Sequence, residues 1–172
     1  MKHFVYLTTL FIGLVLASCA SEETKFDANL QKTIQMFASL ENANSDFLKD
    51  LGNVYLDASE NTNTRMQTEE YVYKLCNDFY DEAEKNGILK SIIENKSDLQ
   101  LSISKLANPP SSRQECYDEL LDLVKDLYKL TNLTTKRPIN IFDFLQELND
   151  TKDLLTEKED MFVTKYGQYL NN

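Results

Sequence analysis

The chain of 172 residues has no tryptophan, one histidine, three prolines and four glycines. The histidine is His3, near the N-terminus. The body of the chain therefore has no imidazole for a Ser–His–Asp or Cys–His nucleophile pair. It also lacks what the usual zinc sites and Glu-x-x-His di-metal sites require. There is no glycine-rich phosphate loop, and no spacing of aspartates around a glycine that suits calcium. No catalytic residue, metal or cofactor is expected. Beyond residue 18 the turn formers are Gly52, Gly87, Gly167, Pro109, Pro110 and Pro138. So few breakers imply few turns and long elements. No run alternates at period two long enough to argue a strand. Cations are also in deficit, with 18 Lys and Arg against 28 Asp and Glu. That balance disfavours nucleic acid and anionic headgroups as partners of the body.

What is present begins at the N-terminus. Lys2 and His3 precede an apolar run from Phe4 to Leu16, followed by Ala17-Ser18-Cys19. A positive head, about 7–15 apolar residues and small residues before a cut describe a secretory signal peptide. The run is short of the roughly 20 residues that span a bilayer. Leu16-Ala17-Ser18-Cys19 resembles the lipobox of bacterial lipoproteins. That resemblance implies diacylglycerol on the Cys19 thiol and cleavage that leaves Cys19 first. One acyl chain of myristoyl length binds only marginally, whereas a diacylglycerol holds without help from the protein. The mature chain loses Lys2 and no acid, so its formal balance moves from −10 to −11. Ala20 is not the aspartate that resembles an inner-membrane retention signal. Ser21-Glu22-Glu23 resembles the acidic pair that sends some Bacteroidetes lipoproteins to the cell surface. The expected location is a bacterial envelope, anchored by lipid, with the outer membrane the expected site and the body facing either the periplasm or the cell surface.

Residues 1–18 thus read as signal peptide, 19–25 as lipidated cysteine and polar tether, and 26–172 as one helical domain. Apolar residues recur at three- and four-residue steps: Phe26, Leu30, Ile34, Phe37, Leu40, Phe47, Leu51, Val54 or Tyr55, Ala58. This spacing predicts an amphipathic helix over 27–59, locally weakened by Asn44 and Gly52. Asn61–Thr64 reads as a connection whose threonine could cap the next helix. A second helix starts near Arg65 with Val72, Cys76, Phe79 and Ala83 inward. Lys85-Asn86-Gly87 reads as its C-terminus. The third stripe, Leu89, Ile92, Lys96, Leu99, Ile103 and Leu106, is one residue out of phase with the second. A straight helix through Gly87 would turn half its apolar residues about 100° away, so a bend or break is expected there. Asn108-Pro109-Pro110 is the clearest stop. Ser112 with Glu115 reads as a capping box for a helix carrying Tyr117, Leu120, Val124, Leu127 and Tyr128. The last helix is expected over 140–166, with Phe142, Leu145, Leu148, Leu155, Phe162 and Tyr166 inward. The fold class is all-α, an elongated antiparallel helical bundle of four or five long helices.

Asn108-Pro109-Pro110, Tyr117, Leu120-Leu121-Asp122-Leu123 and Tyr128 resemble a pattern shared by small helical bacterial lipoproteins of uncharacterised function, with Phe162 and Tyr166 also fitting. Where those relatives often have Pro-Ser-Gly before the last helix, this chain has Thr-Lys-Arg-Pro. The resemblance implies a helical bundle on a lipid anchor and no reaction.

Acids cluster at Glu69-Glu70, Asp81-Glu82-Glu84, Asp118-Glu119-Asp122 and Glu157-Glu159-Asp160. Two carboxylates can perform acid–base hydrolysis, but solvated helix faces are the commoner cause of such clusters. Among the tyrosines, Tyr117, Tyr128 and Tyr166 lie on apolar stripes. Tyr73 and Tyr169 fit their stripes less well and are candidates for an interaction surface. Cys76 and Cys116 form a disulfide only if the chain reverses at Gly87, because Cα atoms must lie within about 7 Å. A continuous helix would hold them about 40 Å apart. The reading that fits is a non-enzymatic envelope protein, joined to the membrane through lipid on Cys19 and binding another envelope protein or serving a structural role. The alternative is a small-molecule or solute-binding helical bundle. A carboxylate hydrolase acting on envelope polymers is a third.

Overall fold

The computed structural model describes residues 21–60, 65–138 and 140–170. Among the described residues there are five α-helices and no strand. They are α1 (Glu22–Glu60), α2 (Arg65–Lys85), α3 (Ile88–Ser104), α4 (Gln114–Thr135) and α5 (Ile141–Leu170), with a 3-10 turn over Ser111–Arg113. The chain is an all-α bundle. Cys19, the Asn61–Thr64 connection and the Phe142 side chain lie outside the described residues.

Helix α1 has 39 residues, which is about 58 Å of axis. It starts earlier than its apolar stripe. The Ser21 hydroxyl accepts the Thr24 backbone N–H at 3.1 Å, and the Ser21 carbonyl accepts the Lys25 N–H at 3.1 Å. Ser21 is therefore an N-cap, and Glu22 and Glu23 lie in the first turn, where the helix dipole favours acids. Residues 22–25 belong to α1, and the polar tether over 19–25 shortens to its first few residues.

The other helices pack around α1. Side chains bond across the seam at Thr33 Oγ1 to Ser102 Oγ (2.8 Å) and Asn44 Nδ2 to Thr131 Oγ1 (3.0 Å). Phe47 meets Phe79 with ring centroids 5.1 Å apart. These pairs fix the directions. Helices α2 and α3 run in tandem down α1, each antiparallel to it. Helix α4 runs parallel to α1, because Asp27 meets Arg113 and Asn44 meets Thr131 at nearly the same sequence offset. Helix α5 returns along α4, with Lys158 against Asp122 and Asp126 and Lys165 against Glu115 and Glu119. The result is four rods, up, down, up, down, with the second rod broken in the middle.

That break falls at Gly87. The residue has φ +76°, in the left-handed region, and α3 resumes at Ile88. The break re-phases the stripe, so that Ile92, Leu99, Ser102 and Leu106 are buried beneath α1. The chain kinks without reversing. Cys76 thus stays level with the Phe47–Leu51 region of α1, while Cys116 stands beside its first turns. At 1.5 Å per residue the two are about 30 Å apart. Both cysteines are free and buried, so the candidate Cys76–Cys116 disulfide does not form.

The turn after α3 also departs from expectation. Asn108 adopts φ 64° ahead of the two prolines. Ser112 does not form a capping box with Glu115. Its hydroxyl reaches Glu23 on α1, and α4 begins without a side-chain cap.

The core is one cluster of Phe, Leu, Tyr and small residues drawn from every helix. Burying each large side chain contributes about 1.5–3 kcal/mol. Most of the expected inward residues among those described are in this core, joined by Leu48, Tyr80, Leu123, Leu130 and Phe144, while Ile34, Phe79, Leu89, Ile103, Tyr117, Tyr128 and Leu145 pack against it half-buried. Asn44 is fully buried at the middle of α1. Its amide donates to the Leu40 carbonyl and to Thr131, while Oδ1 has no partner. It is a polar pin between α1 and α4.

Candidate functional site

Helix α4 stops at Thr135, level with about residue 48 of α1. From about Gly52 outward, α1 and α2 run on as a two-helix arm of about 12 Å. Val72 and Ala58 are buried in its seam. The outer face of α2 carries an open groove of about 560 Å³, lined by Glu70, Tyr71, Tyr73, Lys74, Asn77 and Asp78. Tyr73 is 52 % exposed and Tyr71 41 %. Helical order holds this face rigid. The Asn77 amide donates to the Tyr73 carbonyl at 3.0 Å, and Lys74 pairs with Asp78 at 3.4 Å. Tyrosine is a residue enriched at protein-binding surfaces, whereas Lys, Glu and Asp are not.

Tyr169 has a different place. The Arg113 guanidinium lies 3.9 Å above its ring, and Tyr166 stacks on it at 6.2 Å. The same guanidinium grips Asp27 with two parallel hydrogen bonds of 2.9 and 3.0 Å. One side chain thus ties the start of α1, the start of α4 and the end of α5. Its ionised form is held strongly, chiefly by the hydrogen bond to Asp27. At the opposite end of α4, Arg137 bonds Asp81 and Glu84 of α2 and lies over the Tyr80 ring. Tyr80 donates its hydroxyl to the Thr134 carbonyl at 3.2 Å. Arginine is rare in this chain, and both of these arginines are clamps between helices. A lysine has no planar fork to do either job.

The acid clusters are mostly engaged. Lys158 bonds Asp122 and Asp126, and Lys165 bonds Glu115 and Glu119. Lys158 and Lys165 of α5 each sit between two acids one turn apart on α4. Hydrogen bonds to those acids raise the pKa of both lysines, and the bond from Lys158 lowers that of Asp122. One pair of acids comes together: Glu41 of α1 and Glu159 of α5 act on each other's titration. Burial is the main cause that raises both carboxyls, and Glu41 raises Glu159 further.

The thiols are not poised for chemistry. Burial pushes Cys116 up to about 12 and raises Cys76 as well, the opposite of an activated thiolate. Among the described residues no group of three or more His, Cys, Asp or Glu could hold a metal ion. Among the same residues no helix is long and apolar enough to cross a membrane. Comparison with protein families, with curated proteins and with solved structures finds no match.

The sequence singled out Tyr73 by its poor fit to the stripe, and the structure sets it on an exposed face. Glu70 and Asn77 were missed as its neighbours in the groove. Their i−3 and i+4 spacing from Tyr73 on one helix was the available signal. Tyr169 fits no stripe for another reason: its partner is the guanidinium of Arg113.

Proposed function

We propose that this chain is a lipid-anchored bacterial envelope protein, non-enzymatic, whose helical body binds a protein partner through the Tyr71–Tyr73 face of α2. The observation that carries the reading is the pairing of two features at opposite ends of the chain's long axis. The lipobox-like Leu16–Cys19 lies two residues before the N-cap of α1. The aromatic groove lies about 45 Å along that helix. An anchor at one end and an exposed aromatic face near the other suit a protein that reaches out from a membrane to a partner.

Outer-membrane anchoring with the body facing outward is part of the same proposal. It rests on Ala20 and on the Ser21-Glu22-Glu23 resemblance. Those three residues also cap and open α1, so their presence has a second physical cause. The solute-binding alternative is less well supported, because Phe, Leu and Tyr side chains fill the seam between the helices.

Two experiments test the reading. Radiolabelled palmitate should enter the wild-type chain in bacterial cells and not the Cys19→Ser variant. Equal labelling of both would remove the anchor. A photo-crosslinking side chain at Tyr73 should capture a defined envelope protein that one at Lys125 does not. Identical capture from both positions would remove the groove as the binding face.

A further inference from the structure

The end of the bundle that holds the first turn of α1 differs in charge from the rest. It is built from residues 21–27, the 105–113 connection and the last turn of α5. In the first two segments Glu22, Glu23 and Asp27 are matched by Lys25, Lys105 and Arg113. Residues 166–170 carry no charged side chain. The whole excess of acid, −11 in the mature chain, therefore falls on the flanks and the arm. This end is also tied across helices by side chains. Arg113 joins three helices there, and Ser112 bonds Glu23.

Chain length fixes how far this end can lie from Cys19. Two residues, Ala20 and Ser21, separate Cys19 from Glu22. Fully extended they allow at most about 11 Å between the two Cα atoms. A tether of that length cannot let the bundle wander.

We infer that the neutral end of the bundle, formed by Ser21, Lys25, Lys105, Pro110 and Ser112 around the start of α1, stands directly on a lipid headgroup layer, with the bundle raised from the surface and the α1–α2 arm pointing away. This rests on the lipid reading of Cys19. Lying flat would press an acidic flank against the membrane, which anionic headgroups repel within about a Debye length. Standing on the neutral end avoids that repulsion. It also places the Tyr71–Tyr73 groove about 45 Å from the lipid, clear of the headgroups.

Energy transfer from a dye on the protein to dyes in the membrane tests the stance. The full lipidated chain is reconstituted in phosphatidylethanolamine–phosphatidylglycerol vesicles that carry a headgroup-linked acceptor. A donor is attached at Ala107→Cys, at the neutral end, or at Asn53→Cys, on the arm; both positions are exposed. Cys76 and Cys116 are buried, and the parent chain carried through the same labelling measures any reaction at them. Flotation is measured first. Transfer from position 107 should exceed that from position 53 at least about threefold, given their different heights along α1. A chain that floats and transfers equally from both positions overturns the upright stance and leaves the anchor intact. A chain that fails to float, as Cys19→Ser should, removes the anchor and the stance with it.

Discussion

Arg113 offers the sharpest test of how the bundle is held. Its guanidinium and the Asp27 carboxylate are 14 % and 12 % exposed. The two hydrogen bonds are parallel, and a ring closes the other face of the guanidinium. Replacement by methionine keeps much of the aliphatic stem and leaves Asp27 charged, buried and alone. Breaking one partner of a buried pair costs about 3–5 kcal/mol. The pair lies at the end of the bundle, where water is near, so the lower figure applies. Loss of the cation from the face of Tyr169 adds about 1 kcal/mol. Arg113→Met should therefore destabilise by about 3–4 kcal/mol, a large share of the 5–15 kcal/mol typical of a domain.

The measurement is urea unfolding followed by far-UV circular dichroism, on Cys19→Ser protein so that no detergent is needed. Asp27→Asn and the double variant complete a cycle. The double variant leaves no buried lone charge and should cost less than the sum of the singles by about 2 kcal/mol. Arg113→Lys keeps the charge without the fork or the flat stacking face, and should still lose about 1–2 kcal/mol. Lys129→Met is the control, because the Lys129–Glu147 pair is 3.9 Å long and more than half exposed. It should move stability by less than about 0.5 kcal/mol. If Arg113→Met costs no more than Lys129→Met and the cycle closes without coupling, the clamp is an ordinary surface ion pair and the argument fails.

The glycines should divide by backbone. A Cβ at Gly52 or Gly167 meets open space inside a helix, so alanine at each should stabilise by about 0.5–1 kcal/mol in thermal unfolding. Gly87→Ala should instead destabilise by about 1 kcal/mol, because φ is +76° there. The Glu41–Glu159 pair sets a pH dependence. Both carboxyls are raised in the folded chain, so the stability they contribute is complete below the ordinary carboxylate range and lost as pH rises through the folded values. Glu159→Gln should raise the urea midpoint at pH 7 more than at pH 4, and an equal shift at both would show that the two acids do not share a proton. Tyr73→Ser should abolish partner capture with the melting temperature unchanged; a matching fall in both would mark Tyr73 as structural. Asn44→Leu has the same branched heavy-atom skeleton and removes the unpartnered Oδ1, so despite its larger volume it should cost less than truncation. Asn44→Ala should cost about 1–3 kcal/mol from the cavity, as measured by the same urea titration.

Fold class and helix order were legible because the apolar spacing is regular and the breakers are few. The phase slip between Ala83 and Leu89 located the kink at Gly87, since only a changed backbone can keep both stripes inward. The outcome of that kink was not legible. A left-handed glycine can end a helix before a reversal or before a bent restart in the same direction, and the choice depends on what α1 offers along its length. A 39-residue partner with apolar residues to its last turn gives both α2 and α3 a seam, and so the tandem wins. The start of α1 was misjudged for a related reason. Stripe reading locates where a helix is buried, whereas Ser21, Glu22 and Glu23 form helix at its exposed end through capping and dipole.

Polar groups were the least legible part, and their reason is physical rather than statistical. Asn44 reads locally as a weak helix former, yet its value depends on Thr131, 87 positions away. Arg113 reads as one cation beside a turn, and its meaning depends on Asp27 and Tyr169, which only the closed bundle brings together. Apolar burial needs no particular partner, so periodicity exposes it. A hydrogen bond or a guanidinium fork needs one partner at one angle, and a one-dimensional pattern carries no angle. The same asymmetry applies to the groove. Tyr73 stood out because it failed to fit a stripe, and so did Tyr169, though one faces solvent and the other a guanidinium. A misfit to the apolar pattern therefore does not say by itself where a side chain ends up; here Arg113 stacks on Tyr169, while Tyr73 stays exposed.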